Sequence, residues 1–88
     1  MHFLYILRSK VDHNLYIGIA EDVEKRIAQH NAGRVRSTKS RRPLQLVYQQ
    51  SFPTRQEAAK QEWLLKHTPG AGKQKQRLVE NYRQSMRR

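Results

Sequence analysis

At 88 residues, with 36% hydrophobic and 28% charged side chains, the chain has material for one small core and none for a second. Eighteen Lys and Arg against seven Asp and Glu give a formal charge of +11, a field that points to polyanionic partners, nucleic acid first and an anionic membrane surface second. The absence of cysteine excludes a disulfide framework and any thiolate metal site and suits a reducing cytoplasm.

The N-terminal stretch His2-Phe3-Leu4-Tyr5-Ile6-Leu7-Arg8 is apolar on both alternating faces, which predicts a central strand with Leu4 and Ile6 on one side and Phe3, Tyr5 and Leu7 on the other. Its apolar run is too short for a signal peptide or a spanning helix, so a soluble cytoplasmic protein is expected. The polar segment from Ser9 to Asn14 reads as a turn, and Leu15 to Ala20 as a second strand completing a hairpin. In that strand Tyr16 and Gly18 share one face, and Leu15, Ile17 and Ile19 the other.

A helix is expected to begin at Glu21 or Asp22 and to stop at Gly33. On its wheel Val23 and Ile27 lie in the buried stripe, which Arg26 and His30 border. Residues 34–43 carry five basic side chains and almost nothing apolar, which predicts a loop closed by Pro43. Leu44 to Ser51 alternates as a third strand, with Leu44, Leu46 and Tyr48 on one face.

Thr54-Arg55-Gln56-Glu57 is a capping box that opens a second helix. Its apolar arc includes Ala58, Ala59, Trp63 and Leu65, with Glu62 inside it. Thr68-Pro69-Gly70 stops this helix. Residues 73–86 read as a third, basic helix with Leu78, Val79 and Tyr82 as apolar contacts. One domain over residues 1–84 is expected, with a frayed basic end at 85–88.

Glu62 carries the sharpest chemical signal. A carboxylate on an apolar face must be paired or must bind a cation. One reading is an internal salt bridge, with Arg26 as a candidate partner. The other is a hard, oxygen-liganded metal such as Mg²⁺. Tyr5 and Tyr16 fit strand packing individually, but a hairpin can bring both hydroxyls to one face. A tyrosine near its ordinary pKa of about 10 is a poor base, and cations around it would favour the phenolate. Arg26 could clamp a phosphate with its planar fork, and His30 could relay a proton. The four histidines show no zinc-binding spacing. In the loop, Arg34, Arg36, Lys39, Arg41 and Arg42, interleaved with Ser37, Thr38 and Ser40, suit phosphate oxygens. Lys73, Lys75 and Arg77 extend that basic surface.

Taken in order, Phe3-Leu4-Tyr5, Tyr16-Ile17-Gly18, Arg26 and His30 resemble the GIY-YIG nuclease superfamily. More narrowly, the chain is similar to its small stand-alone bacterial members, called YhbQ-like or URI-type. The resemblance runs from about residue 2 to about residue 80 and includes the 34–43 loop, Leu46-Val47-Tyr48, Arg55-Gln56-Glu57-Ala58 and Lys75-Gln76-Arg77-Leu78-Val79. It implies an α+β fold, a three-stranded antiparallel sheet flanked by helices in the order β-β-α-β-α-α. It also implies cleavage of a nucleic-acid phosphodiester with one divalent ion, Mg²⁺ or Mn²⁺.

By position, Tyr5 matches the general base and Tyr16 the tyrosine that orients water or phosphate. Arg26 matches the phosphate-stabilising arginine, His30 the helix histidine and Glu62 the metal-ligating glutamate. The first glycine of the family's name is missing here. Gln74 stands where many members carry a late asparagine, with Asn81 further along. The expectation is therefore a DNA endonuclease, on structured or single-stranded substrates, with a non-catalytic nucleic-acid-binding module of the same fold as the alternative.

Overall fold

A computed structural model describes residues 1–86, so the expected fraying of 85–88 falls partly, at residues 87 and 88, outside the described residues. The elements are β1 (His2–Ser9), β2 (Leu15–Ala20), α1 (Val23–Asn31), a 3-10 helix (Arg36–Arg41), β3 (Leu44–Phe52), α2 (Arg55–His67) and α3 (Ala71–Ser85). The three strands form one antiparallel sheet in the order β2-β1-β3. β1 is central because it is apolar on both faces and can be covered on both.

One face of the sheet buries Leu4, Ile6 and Ile17 against Leu65 of α2 and Val79 of α3. The other buries Tyr5 and Leu7 with Val23 of α1 and Leu44. The helices are thus divided between the faces, α2 and α3 on one and α1 on the other. Tyr48 and Tyr82 pack edge to face, 5.5 Å between ring centres, and tie α3 to β3.

The helix boundaries follow local chemistry. Asp22 caps α1 by accepting from the Lys25 amide at 3.0 Å, and Thr54 caps α2 by accepting from the Glu57 amide at 3.2 Å. α3 starts earlier than the sequence suggests, at Ala71, because Gly70 takes the left-handed conformation (φ 78°) and turns the chain directly into it.

Three expectations fail here for physical reasons. β3 does not alternate throughout. Ile6 pairs with Tyr48 but Leu7 pairs with Leu46, so Val47 is an extra residue in a bulge. Leu44 and Leu46 therefore pack on the Tyr5 face, whereas Val47, Tyr48 and Phe52 pack on the opposite one. Trp63, assigned above to the apolar arc of α2, is instead 58% exposed.

The basic segment is not a free loop either. Its 3-10 helix is drawn down onto the β1–β2 turn by buried Ser9. The Ser9 hydroxyl donates to the Arg41 carbonyl at 2.7 Å and accepts from the Val11 and Asp12 amides at 3.1 and 3.2 Å. Asn31 locks the end of α1 to β3: its side-chain amide donates to the Leu44 carbonyl at 3.0 Å, and its oxygen accepts from the Leu44 amide at 2.8 Å.

Candidate active site

The site is built around Tyr5 in the middle of β1. Tyr5 pairs with Gly18 across the β1–β2 ladder, and its ring lies over that glycine. A Cβ added to Gly18 would sit 2.6 Å from the Tyr5 hydroxyl oxygen and 2.8 Å from Cζ. Glycine at this position is required by the close approach of an aromatic ring.

The Tyr5 hydroxyl lies 3.0 Å from His30 Nε2, and His30 Nδ1 lies 2.8 Å from the Thr38 hydroxyl. Tyr5, His30 and Thr38 are all buried. The Thr38 hydroxyl donates to the Val35 carbonyl at 3.4 Å. Its oxygen then accepts from His30 Nδ1–H, which leaves Nε2 as the acceptor for the Tyr5 O–H. This assigns the protons along Tyr5→His30→Thr38→Val35 and makes His30 the tautomer that can accept a proton from a phenol. Tyr16 packs its ring edgewise on His30, 4.9 Å between centres, and lies 6.4 Å from the Tyr5 ring.

Arg26, one turn before His30 on α1, is half-buried, and its guanidinium is held by Gln29 Oε1 at 2.9 Å. Burial pushes the Tyr5 hydroxyl above its ordinary pKa. A hydrogen bond from Arg26 and its charge pull the other way, and the Tyr16 and Glu62 charges reinforce the rise. The net direction runs against the expectation that surrounding cations suffice to favour the phenolate, because desolvation of a buried oxygen outweighs one guanidinium. Burial first, and Arg26 second, hold His30 below its usual 6.5. At neutral pH the pair is therefore a neutral phenol donating to a neutral imidazole.

Glu62 comes from α2, on the other face of the sheet, yet its charge is felt at Tyr5. It is not fully buried: its side chain is 24% exposed, and Oε2 pairs with Lys66 one turn on at 3.2 Å. Neither Arg26 nor the core neutralises it. Among the described residues no three His, Cys, Asp or Glu side chains gather into a closed metal cage. A single half-open carboxylate fits a hard cation that keeps most of its waters and takes further oxygens from a phosphate.

The expected site residues are thus partly assembled. Tyr5, Tyr16, Arg26 and His30 form one cluster, with Glu62 within its electrostatic reach. Arg34, Arg36, Lys39 and Arg42 are exposed on and beside the 3-10 helix, and Lys73 and Arg77 on α3, while Lys75 is half-buried. Arg41 departs from its assignment to phosphate binding. Its Nε donates to Asp12 at 3.1 Å, and its side chain is only 22% exposed. Thr38 departs too, buried beneath the segment as the partner of His30. Gln74 is exposed and lines a hollow with Gln61, Arg77 and Asn81. Asn81, two helical turns on, shares its face.

Two positioning residues were not legible in the sequence. Gln29 was signalled only by its i+3 spacing from Arg26. Thr38 carried no local signal, because a threonine among arginines reads as solvated until the chain folds over it. Thr38→Val keeps shape but removes the acceptor for His30 Nδ1–H. The expected result is a loss of about 1–3 kcal/mol in chemical or thermal unfolding, the usual range for an orphaned buried donor.

Comparison with known proteins fits this geometry. The family model of the GIY-YIG catalytic domain matches residues 1–77. A UPF0213 protein of Staphylococcus saprophyticus is 52% identical over 66 residues, which cover 74% of this chain and 79% of the relative. A UPF0213 protein of Staphylococcus haemolyticus is 47% identical over the same shares. The solution NMR structure of a UPF0213 protein from Bacillus halodurans is similar with a TM-score of 0.57 and 36% identity, covering 91% of this chain and 83% of that one.

Proposed function

The chain belongs to the GIY-YIG catalytic domain family, and we propose that it is a divalent-metal-dependent nuclease that hydrolyses DNA phosphodiesters with water activated through Tyr5. The observation that carries this reading is the 3.0 Å contact between the Tyr5 hydroxyl and His30 Nε2, with the opposite imidazole nitrogen fixed by Thr38. Any buried phenol needs a partner for its O–H, and the partner supplied here is an imidazole, a group that can take up the phenol proton.

As water attacks phosphorus, one of its protons passes to the Tyr5 oxygen while the phenol proton passes to His30 Nε2. The phenol pKa raised by burial is no obstacle in such a relay, because a free phenolate never accumulates. Nδ1–H stays bound to Thr38 and holds the ring in line as it becomes cationic. Arg26, pinned by Gln29, faces the charge that develops on the phosphate oxygens. The P–O bond to the departing nucleotide breaks, and that oxygen takes a proton from solvent. Glu62 would hold one Mg²⁺ or Mn²⁺, whose chemistry is Lewis-acid neutralisation of the phosphate and the leaving oxygen. The exposed residues Arg34, Arg36, Lys39, Arg42, Lys73 and Arg77 would grip the backbone without reading sequence.

A binding module without turnover is the second reading. The observation favouring it is the Glu62–Lys66 pair, which already gives the carboxylate a counter-ion. The deciding experiment incubates labelled single-stranded, duplex and branched DNA with Mg²⁺, Mn²⁺ or EDTA. Cleavage is expected with either metal and none with EDTA, and Glu62→Gln should lower the rate by at least about a hundredfold. A Glu62→Gln protein that cuts like wild type removes Glu62 from the metal site, and a wild type that binds all three DNAs and cuts none leaves the binding module as the answer.

A further inference from the structure

Trp63 is the one tryptophan of the chain, and it stands on α2 immediately after Glu62. It remains 58% exposed even though the His67 ring packs against it, 5.0 Å between ring centres at a 40° tilt. Helical spacing surrounds it with Lys60 three residues before, Lys66 three after and His67 four after, all exposed. Lys66 is also the residue that pairs with Glu62 at 3.2 Å, which sets its ammonium beside the candidate metal-binding carboxylate. Nothing in the fold of α2 requires an indole there, since the helix seats itself through Ala58 and Leu65.

A large aromatic face flanked by cations, on a chain of charge +11, is complementary to an unstacked base with phosphates on either side. It does not suit a paired duplex, whose bases present only edges in the grooves. We infer that Trp63, backed by His67, is a stacking platform for an unpaired nucleobase next to the scissile phosphate, and that Lys60 and Lys66 hold the phosphates flanking that base. The substrate class at the site is then single-stranded nucleic acid, or a duplex opened locally at the cut. This inference rests on the nuclease reading for the position of the scissile phosphate.

Because Trp63 is the one indole present, intrinsic fluorescence reports on this position without a label. The wild-type protein is titrated in EDTA, where binding is read without cleavage. The probes are a short oligothymidylate, a blunt duplex of equal charge and inorganic polyphosphate, with anisotropy of a labelled oligothymidylate followed in parallel. Stacking predicts saturable quenching by oligothymidylate and little by duplex or polyphosphate. It also predicts about a tenfold loss of oligothymidylate affinity in Trp63→Ala, largely restored in Trp63→Phe.

Oligothymidylate that binds without quenching overturns the inference. So does quenching by base-free polyphosphate of equal depth, or Trp63→Ala binding as tightly as wild type. The two proposals fail separately. DNA cut with Mg²⁺ but bound without quenching sinks the platform alone, whereas quenching with no cleavage sinks the nuclease and leaves the platform standing.

Discussion

Replacing Tyr5 by phenylalanine is expected to lower cleavage by about 10²–10⁴-fold, the usual worth of a positioned acid–base group, while leaving the fold in place. The ring stays in the core with Leu7, Val23 and Leu44, so only the hydroxyl is lost. Its removal leaves His30 Nε2 without its partner, at a cost of about 1–3 kcal/mol, which thermal melting will register as a modest shift. If Tyr5 and His30 work as one relay, His30→Ala in the Tyr5→Phe background costs little further activity, because members of a catalytic unit are not additive. Independent, multiplying losses would mean that His30 acts elsewhere.

The pH profile adds a second check on the same variant. His30 must be neutral to accept the phenol proton, and burial and Arg26 hold it below 6.5. Wild-type cleavage is therefore expected to be insensitive to His30 at neutral pH and to fall only on the acid side of 6.5, as Nε2 becomes protonated. In Tyr5→Phe the residual rate should lose that acid limb. Stability follows the same sign. The unfolded chain takes up the proton at about 6.5 and the native chain does so only lower, so this group contributes a loss of stability as pH drops from 6.5 toward its native value.

Much of this arrangement could be read from the residues, and the exceptions share a cause. β2 was readable as the apolar run Leu15 to Ala20 behind a polar turn, and the starts of α1 and α2 from the acids Glu21 and Asp22 and from Thr54, because those signals are local. Arg26 and His30 at the inner edge of α1 followed from the wheel alone. What failed was long-range. The bulge at Val47 answers to the pairing of Ile6 and Leu7 with a strand some forty residues away, and nothing within β3 announces it. Thr38 and Arg41 looked like phosphate ligands because their neighbours are cationic. Ser9, thirty-two residues before Arg41, folds the segment down and turns both inward.

Glu62 and Trp63 show the weakness of an arc drawn on one helix. Such a drawing gives direction but not how much of the arc is covered once the helix packs, and α2 buries Ala58 and Leu65 while leaving Glu62 and Trp63 partly open. The result is a half-open carboxylate and an exposed indole in place of two core positions.

Gly18→Ala should be nearly as damaging to cleavage as loss of the Tyr5 hydroxyl, although alanine is the smallest possible side chain and Gly18 makes no chemistry of its own. A methyl group there would stand 2.6 Å from the Tyr5 oxygen and 2.8 Å from Cζ, closer than nonbonded atoms tolerate, and a tight 3.2 Å from Cε2. The Tyr5 ring cannot yield freely. It is 1% exposed, with Tyr16 and His30 packed on it at 6.4 and 5.9 Å between ring centres. Relief must come from moving the hydroxyl off His30 Nε2 or from opening the β1–β2 ladder. A displacement of about 1 Å at a reacting group costs on the order of a hundredfold in rate, and overpacking of this kind typically costs about 1–3 kcal/mol in stability.

In an ordinary strand the same substitution would help, since glycine there is about 0.5–1 kcal/mol worse than alanine. The sign of the stability change is thus itself diagnostic. Single-turnover cleavage and thermal melting of Gly18→Ala, Tyr5→Phe and the double variant separate the causes. If the glycine matters through the Tyr5 hydroxyl, the double variant cuts no more slowly than Tyr5→Phe alone. An alanine variant that is more stable than wild type and equally active would show that the ring's passage over Gly18 is not what catalysis requires.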